Sequence, residues 1–300
     1  INSIDICIQK NFDNKLVTGK DIDLLVKEFE NIVKTLNKDK EILHILKSNI
    51  FLDNKSINNI SNISQEVYKA TIELKFITIK KKIFDEIKNL FSSQHISVPN
   101  IFCASYVKTL GLIDKLSISG NFAFIDIGFK KSSILIFNDK KLLYINNIRI
   151  GGDSVTKDIS KILNLDYRHA EAEKLKFSKT NKIESNLENN SLVRSIINSR
   201  LEEIVELLFL DCPLIDSDLK NNKLKLYFTG NGSKVLNENL LSFGPEFNFI
   251  SDMSIIVEEK MHCCNSAFAY STNIESIQPL KSNRILENKG FFEKLFEFFS

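Results

Sequence analysis

Three glycine-containing segments and one carboxylate carry the residue types that hold phosphates and nucleosides. Asp126–Gly128 ends an apolar, strand-like run at a predicted tight turn, where a carboxylate can hold a hydrated Mg²⁺ and turn N–H groups can face a phosphate. Gly151–Gly152 opens a predicted helix, whose unpaired N–H groups favour an anion. Thr229–Ser233 repeats the order strand, glycine, helix, and its backbone could lie flat against a base or ribose. Because ordinary turns explain most single glycine pairs, the order of the three segments is what predicts a common crevice.

The last eleven residues, 290–300, form a second candidate site. On a helix, one arc of roughly 160° collects all the large apolar side chains of this stretch and the opposite side collects the polar ones. The apolar set is Phe291, Phe292, Leu295, Phe296, Phe298 and Phe299. We predict that this helix lies in the headgroup boundary of a bilayer, because half-burying six such side chains contributes on the order of 5–10 kcal/mol before ordering costs. The alternative is a helix that fits the groove of a protein partner.

Composition argues against several classes of protein, including nucleic-acid-binding, membrane-spanning and secreted proteins. A formal net charge of +2 argues against a protein that binds nucleic acid through its phosphates. No apolar run approaches the ~18 residues of a membrane span, and the first ten residues do not have the pattern of a signal peptide. Five cysteines without regular spacing are typical of buried thiols in a reducing compartment, and the run His262–Cys264 is disfavoured as a metal site.

Hydrophobic periodicity predicts the elements that must position these residues. Thr18 opens a helix of about four turns, and "EILHILKSNIFLD" is predicted as extended up to a turn at Asp53. A strand over 72–79 and helices over 82–91 and after Pro99 follow. The centre is predicted as an antiparallel meander with strands 122–127, 133–137 and 142–148. The remaining predicted elements are helices 153–163, 166–177 and 192–209, a strand 223–229, and a helix after Gly232.

The central segments resemble a known superfamily. The order strand, Asp-x-Gly tip, two strands, Gly-Gly and helix is similar to the second lobe of the actin, Hsp70 and sugar-kinase superfamily, and "TGNGSK" looks like its adenosine loop. "AEKLKFS" matches its Glu-x-x-Lys helix, which implies that Glu173 and Lys176 approach the ribose and adenine. Within the superfamily, "GGDSVTKDISKIL" with "AEAEKLK", and "EILHILKSNIFLD" after "VTGKDIDLLVKE", are similar to the bacterial cell-division protein FtsA.

The resemblance implies an α/β, two-lobed, actin-like (ribonuclease H-like) ATPase fold, whose first lobe is truncated at its N-terminus, with a C-terminal amphipathic helix. Residues 1–65 would be part of the family's extra subdomain, 66–118 the remainder of lobe 1, and 119–277 lobe 2 with a helical insert at about 178–212 and a return helix. Residues 278–289 would be a flexible linker and 290–300 the membrane-targeting helix. The family's first phosphate loop should precede residue 1, so we expect this chain alone to hold nucleotide poorly.

The function implied by the resemblance is that of a bacterial divisome protein. It would bind ATP with Mg²⁺, self-associate, and tether FtsZ to the cytoplasmic face of the membrane at the septum, together with other division proteins and without nucleic acid. The implied nucleotide-binding residues are Asp126 (also the candidate Mg²⁺ ligand, through water), Gly128, Lys130, Ser132, Gly151, Gly152, Glu173, Lys176, Gly230, Gly232 and Ser233. No general base or nucleophile stands out, so we expect no significant ATP turnover.

Two departures from the family pattern leave alternatives open. The glycine-rich phosphate loop is replaced by Phe129–Ser132, whose bulk restricts the approach of backbone to phosphate, and whose lysines either compensate with charge or are simply solvated. A proline normally follows the "LH-x-L" strand, and Lys47 stands there. The alternatives are a PilM-like pilus-assembly protein, which should need neither the tail nor the "EILHIL" segment, a sugar-kinase-like enzyme, and a nucleotide-dead interaction module of the same fold.

Overall fold

The computed structural model describes residues 1–57, 63–179, 188–215, 219, 223–236, 244 and 247–273. Within these ranges the strands are β1 (Asn2–Thr18), β2 (Lys40–Leu52), β3 (Lys55–Ser56), β4 (Ser64–Lys80), β5 (Asn121–Ile127), β6 (Ser132–Asn138), β7 (Lys141–Ile148), β8 (Leu224–Thr229) and β9 (Ile250–Ile255). The helices are α1 (Gly19–Leu36), α2 (Lys81–Ser92), α3 (Ala104–Leu116), α4 (Gly152–Ile162), α5 (Tyr167–Lys179), α6 (Glu188–Phe209) and α7 (His262–Asn273), with a short 3₁₀ helix at Asn231–Val235.

An antiparallel sheet in the order β1-β4-β2-β3 forms the N-terminal unit, which we call the N-terminal sheet. Helix α1 packs on one face of it, with Ile22, Leu25 and Val26 buried. The helix begins where predicted, because the Asp21 carboxylate accepts hydrogen bonds from the N–H and the hydroxyl of Thr18, at 2.8 and 2.6 Å. Leu36, the last residue of the helix, is 78% exposed.

The central sheet has the order β7-β6-β5-β8-β9. Its first three strands are the predicted antiparallel meander, whereas β8 runs parallel to both β5 and β9. Strand β5 is apolar along nearly its whole length because both of its faces are covered. Ala123, Ile125 and Ile127 pack under α4 and α6, while Phe122 and Phe124 pack with α3.

Two other elements differ from what the sequence predicted. β1 is one strand of 17 residues, for which the sequence analysis predicted no element. Its ladder with β4 shifts register between Asn11 and Lys15, and Asp13 and Asn14 have positive φ there, so an irregularity in the middle of the strand breaks its alternation. The helix predicted after Gly232 is a 3₁₀ helix of five residues. Within the described residues, no helix is both long and apolar enough to cross a membrane.

His44 connects the N-terminal sheet to the helices that flank the central sheet. Its ring is 3% exposed and lies among the rings of Phe102, Tyr106 and Tyr270. Its Nε2 accepts the N–H of Cys103 at 2.8 Å, so the neutral ring carries its proton on Nδ1, which lies 3.2 Å from the Tyr270 hydroxyl. Desolvation by burial lowers the pKa of His44 from 6.5 to about 3.

This buried imidazole predicts a loss of stability in mild acid. Below pH 6.5 the unfolded chain binds a proton at His44 that the folded chain excludes, so the free energy of unfolding falls as the pH is lowered from 6.5 toward 3, by about 2 kcal/mol at pH 5. Denaturant titrations between pH 5 and 7 measure this slope. His44→Gln keeps an acceptor for the Cys103 N–H and does not titrate, so it should remove that part of the slope. An equal slope in both proteins would contradict the assignment.

Candidate functional site

The three glycine segments meet at one edge of the central sheet. Because β5 and β8 are parallel, their carboxyl ends lie side by side, and the ladder places Asp126 opposite Thr229. Strand β5 leads into the β5–β6 tip, and β8 leads into the 3₁₀ helix. The connection from β7 to α4 contacts the β5–β6 tip. We call Gly128, Gly151, Gly152, Gly230 and Gly232 together the glycine corner. The predicted convergence of the three segments is present in the structure.

The glycine corner is packed against itself. A Cβ at Gly151 would lie 2.5 Å from the carbonyl oxygen of Gly128 and 2.8 Å from that of Phe129, and a Cβ at Gly232 would lie 2.8 Å from that of Ile127. Gly230 has φ +85°, where a side chain would be strained as well as crowded. Around Gly152 the nearest atoms are 3.7 Å away, which is ordinary contact. A Cβ at Gly128 would also lie 2.9 Å from the carbonyl oxygen of Lys131. The close approach that the sequence assigned to a ligand is thus made by the chain's own backbone at four of the five positions.

The N–H groups at the start of α4 already have acceptors. Gly152 donates to the Gly128 carbonyl at 2.9 Å, Asp153 donates to the Phe129 carbonyl at 2.8 Å, and Ser154 donates to the Gly151 carbonyl at 2.9 Å. Asp153 also places a carboxylate here, paired with Lys157 and accepting from the Tyr167 hydroxyl. The hydrogen bond from Lys157 is the main cause that lowers the pKa of Asp153. An anion at this helix terminus would have to replace internal hydrogen bonds.

Asp126 is paired with a lysine that the sequence analysis did not identify. Lys108 Nζ lies 2.8 Å from Asp126 Oδ2 and 2.8 Å from Glu258 Oε1, and Glu258 Oε1 also accepts the N–H of Gly230 at 2.9 Å. Burial alone would lower the pKa of Lys108, but the two carboxylates outweigh it and raise that pKa. A hydrated Mg²⁺ at Asp126 does not fit this arrangement, because an ammonium group holds the carboxylate. The described residues contain no cluster of three or more His, Cys, Asp or Glu side chains that could bind a metal ion.

Helix α5 also places a lysine at the corner that the sequence analysis did not identify, Lys174. Glu173 and Lys176 pair with each other at 2.5 Å on an exposed part of the helix. Lys174 is buried instead, and its Nζ contacts the Gly152 carbonyl at 3.0 Å, the Thr156 hydroxyl at 2.7 Å and the Glu171 carboxylate at 2.7 Å. The signal for Lys174 was its place one helical turn after Ala170, which is fully buried. Lys108 likewise lies one turn before the buried Leu112.

The remaining predicted residues divide into buried and exposed groups. Ser132 donates its hydroxyl to the Ile150 carbonyl at 2.8 Å, and Ser233 donates to the Gly230 carbonyl at 2.8 Å, so both hydroxyls stabilise the loops themselves. Lys130 is exposed on the β5–β6 tip. Thr229 Oγ1 is a buried side-chain polar atom without a hydrogen-bond partner, and none other was found in the described part of the chain. The apolar set of the C-terminal segment 290–300 lies outside the described residues.

A family model described as cell division protein FtsA matches residues 123–240, the part of the chain that contains the central sheet's meander and the glycine corner. FtsA of Helicobacter pylori is 22% identical over 142 residues, which cover 47% of this chain and 28% of the relative. FtsA of Buchnera aphidicola is 23% identical over 218 residues, which cover 68% of this chain and 51% of the relative. The chain therefore spans about half or less of these curated relatives.

Solved structures show the fold. A PilM–PilN type IV pilus biogenesis complex superposes with a TM-score of 0.56 at 15% identity, over 92% of this chain and 77% of the other. MreB5 of Spiroplasma citri bound to AMPPNP gives 0.51 at 14% identity, over 66% and 67%. The predicted α/β, actin-like fold is confirmed. The resemblance to FtsA is confirmed too, over residues 123–240 for the family model.

The N-terminal sheet does not by itself favour FtsA over PilM. The sequence analysis expected that a PilM-like protein should not need the segment that contains "EILHIL". A superposition that covers 92% of the chain must include most of the N-terminal sheet, so the presence of this sheet does not separate the two kinds of protein.

The packing of the corner predicts opposite effects for two adjacent glycines. Gly151→Ala should lower the free energy of unfolding by about 1–3 kcal/mol, because its Cβ would press on backbone atoms that cannot rotate away. Gly152→Ala should be neutral or stabilise by up to about 1 kcal/mol, because the site has room and the residue is helical. Denaturant unfolding of the two variants measures both, and equal effects would contradict the described packing.

Proposed function

We propose that this chain is part of an actin-like adaptor of bacterial cell division that tethers FtsZ to the cytoplasmic membrane, self-associates and binds ATP. The observation that carries the proposal is the match of residues 123–240 to the FtsA family model. That range includes all five residues of the glycine corner, together with Asp126 and Lys174. The similarity to FtsA therefore extends over the candidate site and is not confined to core strands.

The membrane contact is assigned to residues 290–300. On a helix, their apolar side chains would fall on one side and their charges on the other, and Lys289 and Lys294 are matched by Glu293 and Glu297. Attraction to anionic lipid is therefore weak and burial of phenylalanine must supply the affinity. Copies assembled on a filament would gain further through avidity, which suits an adaptor that binds reversibly as a single molecule.

The ATP site is assigned to the glycine corner, where the sequence predicts a crevice. The convergence of the three segments supports it, as do the unpartnered Thr229 hydroxyl and the exposed Lys130. The related fold of MreB5 was solved bound to AMPPNP and to ADP. Lys130 would meet the phosphates, and the segment Gly230–Ser233 with Glu173 and Lys176 of α5 would meet the adenosine. Bound ATP would add contacts that hold the two sides of the crevice together.

Two other functions have specific observations in their favour. A PilM-like role is favoured by the superposition over 92% of the chain. A nucleotide-dead interaction module is favoured by the internal hydrogen bonds that occupy the N–H groups of Gly152 and Asp153. Binding of purified FtsZ, and calorimetry with ATP, separate these roles from the proposed one.

The assignment of ATP to the crevice predicts a difference between two exposed lysines of the same meander. Lys130→Ala should weaken ATP binding by about 3–10-fold, because a solvated charge near a phosphate contributes roughly 1 kcal/mol. Lys140→Ala is the matched control, since Lys140 sits on the opposite tip and pairs with Asp114 at the surface. Isothermal calorimetry measures both affinities. An equal effect of the two substitutions, or no heat of binding with the unaltered chain, would contradict the assignment.

The membrane assignment predicts that the tail recruits FtsZ to lipid. In sedimentation with vesicles of phosphatidylethanolamine and phosphatidylglycerol, the full chain should pellet and should carry purified FtsZ with it. Deletion of 290–300 should abolish both, and Phe296→Glu should do the same, because a carboxylate on the apolar face opposes burial. Ser300→Glu adds the same group on the polar side and should leave binding unchanged.

Pelleting that is unaffected by the deletion would contradict the membrane assignment. A fall in the melting temperature of Phe296→Glu would instead mean that the tail packs into the protein's own core. Lipid binding without recruitment of FtsZ would refute the adaptor role while leaving the tail's role intact.

A further inference from the structure

Lys108 pairs with Asp126, the carboxylate that a divalent cation at this site would need to find unpaired. It projects from α3, its side chain is 8% exposed, and its helical neighbours Tyr106, Val107 and Leu112 are buried. A lysine is rarely buried unless it is paired. Lys108 therefore has a definite task at the end of β5.

That task is to join four separate segments through one ammonium group. Nζ contacts Asp126 at the end of β5 and Glu258 after β9, at 2.8 Å each. Glu258 then accepts the Gly230 N–H at 2.9 Å, which brings in the tip of β8. A bound Mg²⁺ or Ca²⁺ is normally held in the same way, by oxygen atoms from different loops that converge on the ion at distances of about 2.0–2.6 Å. Here a nitrogen of the chain itself occupies the centre.

A metal ion and this ammonium group cannot share the position. Both carboxylates are within hydrogen-bond distance of Nζ, so a divalent ion bound by Asp126 would sit beside the like charge of a lysine that is itself buried. Displacing Lys108 would leave its charge among Tyr106, Val107 and Leu112. The ammonium also remains protonated at neutral pH, because the carboxylates raise its pKa above the ordinary value despite burial.

We propose that Lys108 is a built-in counter-ion that replaces a divalent cation at Asp126, so that the crevice neither binds Mg²⁺ there nor depends on it. The statement that ATP binding does not depend on Mg²⁺ rests on the proposed function. The statement that Asp126 binds no divalent ion in the chain without nucleotide is independent of it.

Metal binding by the chain alone tests the first part. The probe is Mn²⁺, followed by electron paramagnetic resonance on the full chain without nucleotide. The unaltered chain and Asp126→Asn should bind Mn²⁺ alike, whereas Lys108→Met should gain a site, because Asp126 and Glu258 lose their counter-ion. The double variant Lys108→Met/Asp126→Asn should lack that site. Lys115→Met is the matched control, since Lys115 is on the same helix and pairs with the neighbouring Glu259 at the surface.

Two results would overturn the proposal. One is a Mn²⁺ site in the unaltered chain that Asp126→Asn removes, and the other is a folded Lys108→Met that gains no site. If Lys108→Met does not fold, the melting temperature of the unaltered chain in Mg²⁺ and in EDTA shows whether Asp126 binds the ion. Equal melting temperatures support the built-in counter-ion, and a higher value in Mg²⁺ that Asp126→Asn abolishes refutes it.

ATP affinity with and without Mg²⁺ tests the second part. Calorimetry in Mg²⁺ and in EDTA should give dissociation constants that agree within about twofold, whereas loss of a required cation would weaken binding by about tenfold or more. A tenfold loss in EDTA would overturn the claim of independence. Absence of binding in both conditions would refute the nucleotide part of the proposed function, and the Mn²⁺ measurement would still decide the role of Lys108.

Discussion

The close approach of three backbone segments at the carboxyl ends of β5 and β8 is the constraint on which the site depends. Parallel pairing brings the two strand ends together, and the absence of side chains at Gly151, Gly230 and Gly232 lets the connections touch. The carbonyls of Gly128 and Phe129 then take the N–H groups that begin α4. The Gly230 N–H is taken by Glu258. Because these N–H groups all have internal acceptors and the backbones are in close contact, the corner is a single rigid unit that α3, α4 and α5 must fit around.

Two buried lysines fasten the surrounding helices to this unit. Lys108 joins α3 to Asp126 and Glu258, and Lys174 joins α5 to the Gly152 carbonyl, Thr156 and Glu171. Burying a charge is costly, and removing one partner of such a pair costs about 3–5 kcal/mol because the other is left uncompensated. These contacts are consequently better at fixing one arrangement of the helices than at adding net stability. Lys130, on the tip, is exposed and is assigned to the phosphates in the proposed function.

The sequence predicted those features that depend on local pattern. Alternation and turn residues were enough for the meander, and the helical period was enough for α1, α4 and α6. It failed where the decisive partner is distant in sequence. In the sequence, nothing indicates that Asp126 is paired with Lys108, which lies 18 positions earlier. Likewise, nothing distinguishes Lys174 from the other lysines of α5 until the fold shows which face of the helix is inward. Glycine spacing correctly indicated close approach at the corner, but a pattern of glycines does not specify whether a ligand or backbone makes the approach.

The central claim is that the corner is closed by its own hydrogen bonds and charges before any ligand binds. Amide hydrogen exchange at Gly152, Asp153 and Gly230 tests it most directly, because each of these N–H groups has a named internal acceptor. In the chain without nucleotide, all three N–H groups should exchange far more slowly than that of the exposed tip residue Lys130, and equally slowly with Mg²⁺ or with EDTA. Exchange as fast as at Lys130, or protection that arises only after Mg²⁺ is added, would contradict it.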